Sequence, residues 1–151
     1  MSPAASRRQR WRTGTVWWAA ELATWDDVAA VCRTLPGTTE LRSASGRRRW
    51  QVRGKTFLRE RPLHRTDLDE LGAAAPSGPV LVASVPDEGA KAALLTAEPE
   101  LYFTTAHFDG WAAVLVRLDR LDVGSLRELA VEAWASRAPR RLLTEHSVPP
   151  V

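Results

Sequence analysis

An α+β fold, an antiparallel sheet with helices packed on one face, is the class this chain predicts, and three observations predict it. Apolar residues recur at helical spacing in segments that begin near Thr24, Asp87 and Asp122. Short runs rich in β-branched and aromatic residues lie between them. Several of those runs are joined by tight turns, at Arg53-Gly54 and Asp109-Gly110, in place of the helical crossovers that a parallel sheet needs.

The 151 residues, 44% hydrophobic and 26% charged, suit one domain around one core. We expect that domain over 17–143. Residues 1–16, MSPAASRRQRWRTGTV, hold four Arg with no apolar periodicity and are expected to be a disordered basic arm. Arg7-Arg8 is followed by too short an apolar run, Val16 to Ala20, for a twin-arginine export signal. Trp17 and Trp18 are expected to dock on the domain, and 144–151 to form a flexible tail.

The first helix opens at Thr24 as N-cap, with Asp26 and Asp27 at the positive end of the helix dipole. Trp25, Val28, Cys32 and Leu35 form its apolar stripe, and Pro36-Gly37 ends it. A short strand at Thr39 to Arg42 precedes the hairpin RRRWQVRGKTFLRER. With Val52 opposite Lys55, Trp50 is expected to face Phe57, and Arg48 to face Arg59, on one side of that hairpin. Gln51 with Thr56, Arg49 with Leu58 and Arg47 with Glu60 fall on the other side. After Pro62 a helical turn or two in RTDLDELG leads through the irregular link AAAPSGP to the strand Val80 to Val85. Asp87 caps a helix whose stripe is Ala90, Ala93, Leu94 and Ala97. A second hairpin pairs LYFTTAHF with WAAVLVRLD through a type I′ turn at Asp109-Gly110, its second strand central in the sheet. The last helix follows Asp122, with Ser125 and Glu128 at capping-box spacing and Leu126, Leu129, Ala130, Ala133 and Trp134 buried.

These stretches together, TWDDVAAVCRTLPGTTE, W-x-V-x-GK-x-F from Trp50 to Phe57, VPDEGAKAALL, PELYFTTAHFDGW, AVLVRLD and LRELAVEAWASRAP, resemble the MmcQ/YjbR family of small bacterial proteins over roughly residues 22–141. The resemblance implies a secretion-chaperone-like fold of the double-wing type, in the order helix, three strands, helix, two strands, helix. Members are commonly labelled DNA-binding, and the family brings no catalytic residue set to carry over. Trp111, where members often have tyrosine or a smaller residue, and the tripeptide Arg47 to Arg49 stand outside the family pattern.

Charge and motifs narrow the function. Residues 1–65 carry 14 Arg and Lys against 5 Asp and Glu, while 66–151 carry 7 against 13, so the first half is basic and the second acidic. Clustered Arg suits a polyanion, although an Arg-to-Lys ratio of 19 to 2 also fits a GC-rich coding sequence. A lone cysteine, Cys32, excludes an internal disulfide and a multi-cysteine zinc site and points to the cytoplasm. No apolar run nears the ~18 residues of a membrane span. The three His have no metal-ligand spacing, and no nucleotide-binding or nucleophile-elbow motif occurs, so neither cofactor nor catalysis is expected. His107 is the one remote catalytic candidate, and its plainer role is a strand-end imidazole bonded to backbone or carboxylate. The expectation is a non-enzymatic protein that contacts DNA or another nucleic acid through Arg47, Arg48, Arg49, Arg53, Lys55, Arg59 and Arg61 of the first hairpin. The alternative is a protein-interaction or chaperone-like module, for which the seven Trp leave room.

Overall fold

In the computed structural model, which describes residues 21–146, α1 (Trp25–Arg33) leads into β1 (Thr38–Arg42), β2 (Arg48–Val52) and β3 (Lys55–Glu60). Then come α2 (Arg65–Leu71), β4 (Val80–Ser84), α3 (Glu88–Ala97), β5 (Tyr102–Phe103), β6 (Ala113–Arg117), α4 (Val123–Arg137) and α5 (Arg140–His146). The expected arm over 1–16, the docking of Trp17 and Trp18, and residues 147–151 of the tail lie outside the described residues. The strands form one antiparallel sheet in the order β1-β2-β3-β4-β6-β5. The α+β class holds, and β6 has a neighbour on each side, as its doubly apolar pattern requires.

Local chemistry sets the helix starts. Thr24 and Asp27 cap α1 reciprocally: the Thr24 N–H donates to Asp27 Oδ2 at 2.9 Å and the Asp27 N–H donates to Thr24 Oγ1 at 3.3 Å. Asp87 accepts from the Ala90 N–H at 2.8 Å at the start of α3. At α4 the cap is Asp122, which accepts the Ser125 N–H at 2.8 Å and the Ser125 hydroxyl at 3.0 Å, so the N-cap lies three residues before the Ser125 of the expected capping-box spacing. Beyond Pro139 the chain takes one more short helical segment, up to His146. This is α5, which seats Leu142 in the core.

Two apolar layers sandwich the sheet. The larger one unites α1, α3 and α4 with Trp50, Val52, Phe57, Leu58, Leu81 and Val116, and Trp134 at its centre donates from Nε1 to the Pro36 carbonyl at 2.9 Å. The smaller one lies on the opposite face, where Leu63, just before α2, and Leu71, its last residue, cover Val80, Val82, Phe103, Phe108 and Leu115. Helices therefore pack on both faces of the β4-β6-β5 half, with the main bundle on one face only. Phe108 reaches this second layer because the segment expected as a long strand stops after Phe103. The chain turns at Ala106–Phe108 into a 3₁₀ helix whose Ala106 N–H donates to both Glu70 oxygens at 3.0 and 3.1 Å. The turn that follows differs from the expected type I′: Asp109 has φ −61° and ψ 131° and only Gly110, at φ 80°, is left-handed, which is type II geometry.

The α3 stripe also departs from expectation. Ala93 is exposed, whereas Lys91 is buried and its Nζ donates to the Phe108 and Trp111 carbonyls at 2.7 and 3.0 Å. That lysine ties α3 to the type II turn. Among the described residues no helix is long and apolar enough to cross a membrane.

Candidate nucleic-acid interface

The first hairpin turns at Arg53-Gly54 with both residues left-handed, φ 50° and 84°, the type I′ geometry that a two-residue loop favours. Val52 pairs with Lys55 and Gln51 with Thr56 as expected, but the register then shifts, so that Trp50 pairs with Leu58 and Arg49 with Arg59. A β-bulge at Phe57 is the cause. The extra residue lets Phe57 and Leu58, adjacent in sequence, both enter the main core, each at most 1% exposed. Packing two large side chains there outweighs regular pairing, since removing either would forfeit about 3 kcal/mol or more.

The bulge re-sorts the basic residues. Past Phe57 every side chain of β3 changes face relative to the unbulged register, and Arg59 moves from the side of Arg48 to the side of Arg49. One row now crosses the whole sheet: Leu41, Arg49, Arg59, Val82, Leu115, Phe103. Its apolar end is roofed by Phe108 and α2. Its basic end has no roof among the described residues, with Arg49 exposed and Arg59 half-buried.

The seven basic residues of the hairpin thus do not form one cluster. Arg48 lies on the helix side, where its guanidinium donates to Glu40 at 3.1 and 3.2 Å and to Asp26 at 3.4 Å, and sits 5.4 Å above the Trp50 ring. Its hydrogen bond with Arg48 is the main reason the Glu40 carboxyl falls below its ordinary range. Trp50 is sealed in the same corner by a 3.1 Å bond from Nε1 to Glu40 and by the Trp25 ring at 6.4 Å. Arg61 is buried and paired with buried Asp67 at 2.9 Å, over the Phe108 ring at 5.1 Å. Burial pushes the Asp67 carboxyl up, but the His64 N–H and the Arg61 charge outweigh it and leave the group below its usual value. Arg47 is exposed beside a cleft of about 350 Å³ that also takes in Trp25, Glu60 and Ser77. Arg53 and Lys55 are exposed at the turn.

Arg49 and Arg59 are different. They stand directly opposite each other, and among the described residues neither has a carboxylate within ion-pair distance. Burial, then the charges of Arg61 and Arg49, hold the Arg59 guanidinium below its ordinary pKa, and it still carries its charge at any physiological pH. The arrangement keeps two like charges face to face, which costs stability unless an anion neutralises them.

Beside Arg59 the row meets an aromatic group that sequence reasoning did not collect. Arg59 lies 5.7 Å from the centre of the buried Phe108 ring. The rings of His107 and Trp111 flank Phe108 at 5.0 and 5.8 Å and lie 5.8 Å from each other. Trp111 is 54% exposed. His107 sits in the 3₁₀ turn and not at a strand end, and its ring packs on these aromatics in place of the expected backbone or carboxylate bond. Among the described residues no three His, Cys, Asp or Glu side chains are grouped to hold a metal ion.

Comparison with known proteins agrees with the resemblance drawn from the residues. The YjbR family model matches residues 33–136. Two uncharacterized proteins, Mb2600 of Mycobacterium bovis and Rv2570 of Mycobacterium tuberculosis, are each 46% identical to the chain over 125 residues, which is 81% of this chain and 94% of theirs. No solved structure matches. On the family match and this degree of identity, the chain belongs to the YjbR family.

Proposed function

We propose that the protein is a non-enzymatic, cytoplasmic nucleic-acid-binding protein that holds the phosphate backbone across the basic end of its sheet. The observation that carries this reading is the Arg49–Arg59 pair, opposed across two strands and without a carboxylate partner among the described residues. A phosphate placed between two guanidiniums removes their repulsion and gains charge-assisted hydrogen bonds. Arg53 and Lys55 at the turn extend the positive surface along β2 and β3. Arg48 and Arg61 serve the fold, since each is already matched to carboxylates. An apolar protein partner would account for the exposed Trp111 but not for the retained like-charge pair.

The test is fluorescence anisotropy of a labelled mixed-sequence oligonucleotide titrated with protein at several salt concentrations. Replacing Arg49 and Arg59 together with Ala should weaken binding by tenfold or more at low salt and reduce the log–log salt slope by about 2. Arg48→Ala should leave the slope nearly unchanged. Failure of the wild-type protein to bind at low salt refutes the reading.

A further inference from the structure

We infer that the nucleic acid is single-stranded, and that Trp111, with His107 beside it, stacks on unpaired bases while Arg49 and Arg59 hold the adjoining phosphates. The inference rests on the phosphate-binding reading above and names the form of nucleic acid that this surface accepts.

Topology argues against a duplex groove. A major groove ~12 Å wide admits a helix or a free two-stranded ribbon. The β2–β3 hairpin is not free: β1 is bonded along its outer edge and β4 along its inner one. Arg49 and Arg59 therefore project from the middle of a four-stranded surface, which offers a platform and not a probe.

Chemistry argues for unpaired bases. An exposed indole presents a π-face, and every base has one to match, but in a duplex those faces are already stacked on their neighbours. Trp111 is the large aromatic side chain most open to solvent among the described residues. It is also held in place. Its ring leans on Phe108, and its carbonyl accepts from the buried Lys91 Nζ at 3.0 Å. Glu70 fixes the neighbouring 3₁₀ turn through the Ala106 N–H. The indole is thus presented by a braced turn, so little ordering entropy opposes stacking. Phe108 lies between the two features, 5.7 Å from the Arg59 guanidinium and 5.8 Å from the Trp111 ring. The stacking ring and the guanidinium therefore lie close enough for neighbouring nucleotides of one strand to reach both. Asp109, exposed at the turn, opposes a phosphate on its own side and so directs the backbone toward the arginines.

The experiment compares a single-stranded oligonucleotide with its blunt duplex, using the full chain, its Trp111→Leu and Trp111→Phe variants, and the Arg49→Ala/Arg59→Ala variant, each checked for folding by circular dichroism. The single strand should bind more tightly than the duplex. Trp111→Leu, which keeps apolar bulk and loses the π-face, should weaken single-strand binding by about fivefold or more and leave the salt slope unchanged. Trp111→Phe should recover most of that loss. Equal affinity for strand and duplex, or no loss in Trp111→Leu while the arginine pair is still required, overturns the single-strand inference and leaves the phosphate reading standing. No binding to either form overturns both.

Discussion

The two ends of the row Leu41, Arg49, Arg59, Val82, Leu115, Phe103 show the same sheet face put to opposite uses. At the Phe103 end the basic groups are buried under cover: Arg61 meets Asp67, and Arg117, with no carboxylate within ion-pair distance among the described residues, lies 4.9 Å over Phe103 with Nη2 donating to the Ala74 carbonyl at 2.7 Å. At the Leu41 end two arginines face each other with neither carboxylate nor roof among the described residues. Phe108 touches both regimes, with the paired Arg61 at 5.1 Å and the unpaired Arg59 at 5.7 Å. The difference teaches that Arg59 in β3 and Arg61 just past its end, two apart in sequence, divide between fold and function according to whether the covering element brings a carboxylate with it. Helix α2 brings Asp67 as far as Arg61 and no farther.

Removing that carboxylate is the strongest way to break the comparison. Asp67→Ala leaves Arg61 buried and unpaired and should cost about 3–5 kcal/mol in urea unfolding. Replacing both partners with apolar residues, as Asp67→Leu with Arg61→Met, should restore most of the loss, because the cost comes from the orphaned charge more than from a missing attraction. A loss in the double variant equal to that in the single one would show that the pair itself supplies the stability.

A smaller effect follows from pH. The folded state holds the Asp67 carboxyl below its unfolded value of 3.8, so its contribution is fully present above that value and is lost as pH falls through the lower folded pKa. Glu40, held below 4.5 chiefly by Arg48, acts in the same sense from a slightly higher pH. Urea midpoints should therefore fall as pH drops below about 4.5, and part of that fall should vanish in Asp67→Asn. The arginines of the open end keep their charge throughout and should add no slope of their own.

Sequence patterning revealed this fold where the chemistry is local. Thr24 and Asp87 cap helices through bonds to residues three positions on, and Arg53-Gly54 sets its turn by its own backbone angles, so each was legible from adjacent residues. The last helix was visible as starting after Asp122, but the capping-box spacing at Ser125 and Glu128 lies one turn inside it, and Asp122 itself is the cap. The bulge was not read, although Phe57-Leu58, two large apolar neighbours in an alternating strand, is the pattern a bulge leaves. With it went the site, because the unbulged register puts Arg59 opposite Arg48 and hides its meeting with Arg49. The partners of Arg61, the burial of Lys91 and the bracing of Trp111 all depend on contacts between distant segments. No spacing in the chain encodes them.

The smallest effect tests the open end directly. If Arg49 and Arg59 are kept for a ligand at a cost to the free protein, Arg59→Met should not destabilise it and should raise stability by about 0.2–1 kcal/mol. The methionine keeps an unbranched apolar stem at this half-buried position and removes the charge that lies over Phe108. Added salt screens like charges, so wild-type stability should rise between low and moderate ionic strength more than that of the variant. A loss of stability in Arg59→Met would mean that the guanidinium over Phe108 is itself a structural contact, and Arg59 would then belong with Arg61 on the side of the fold.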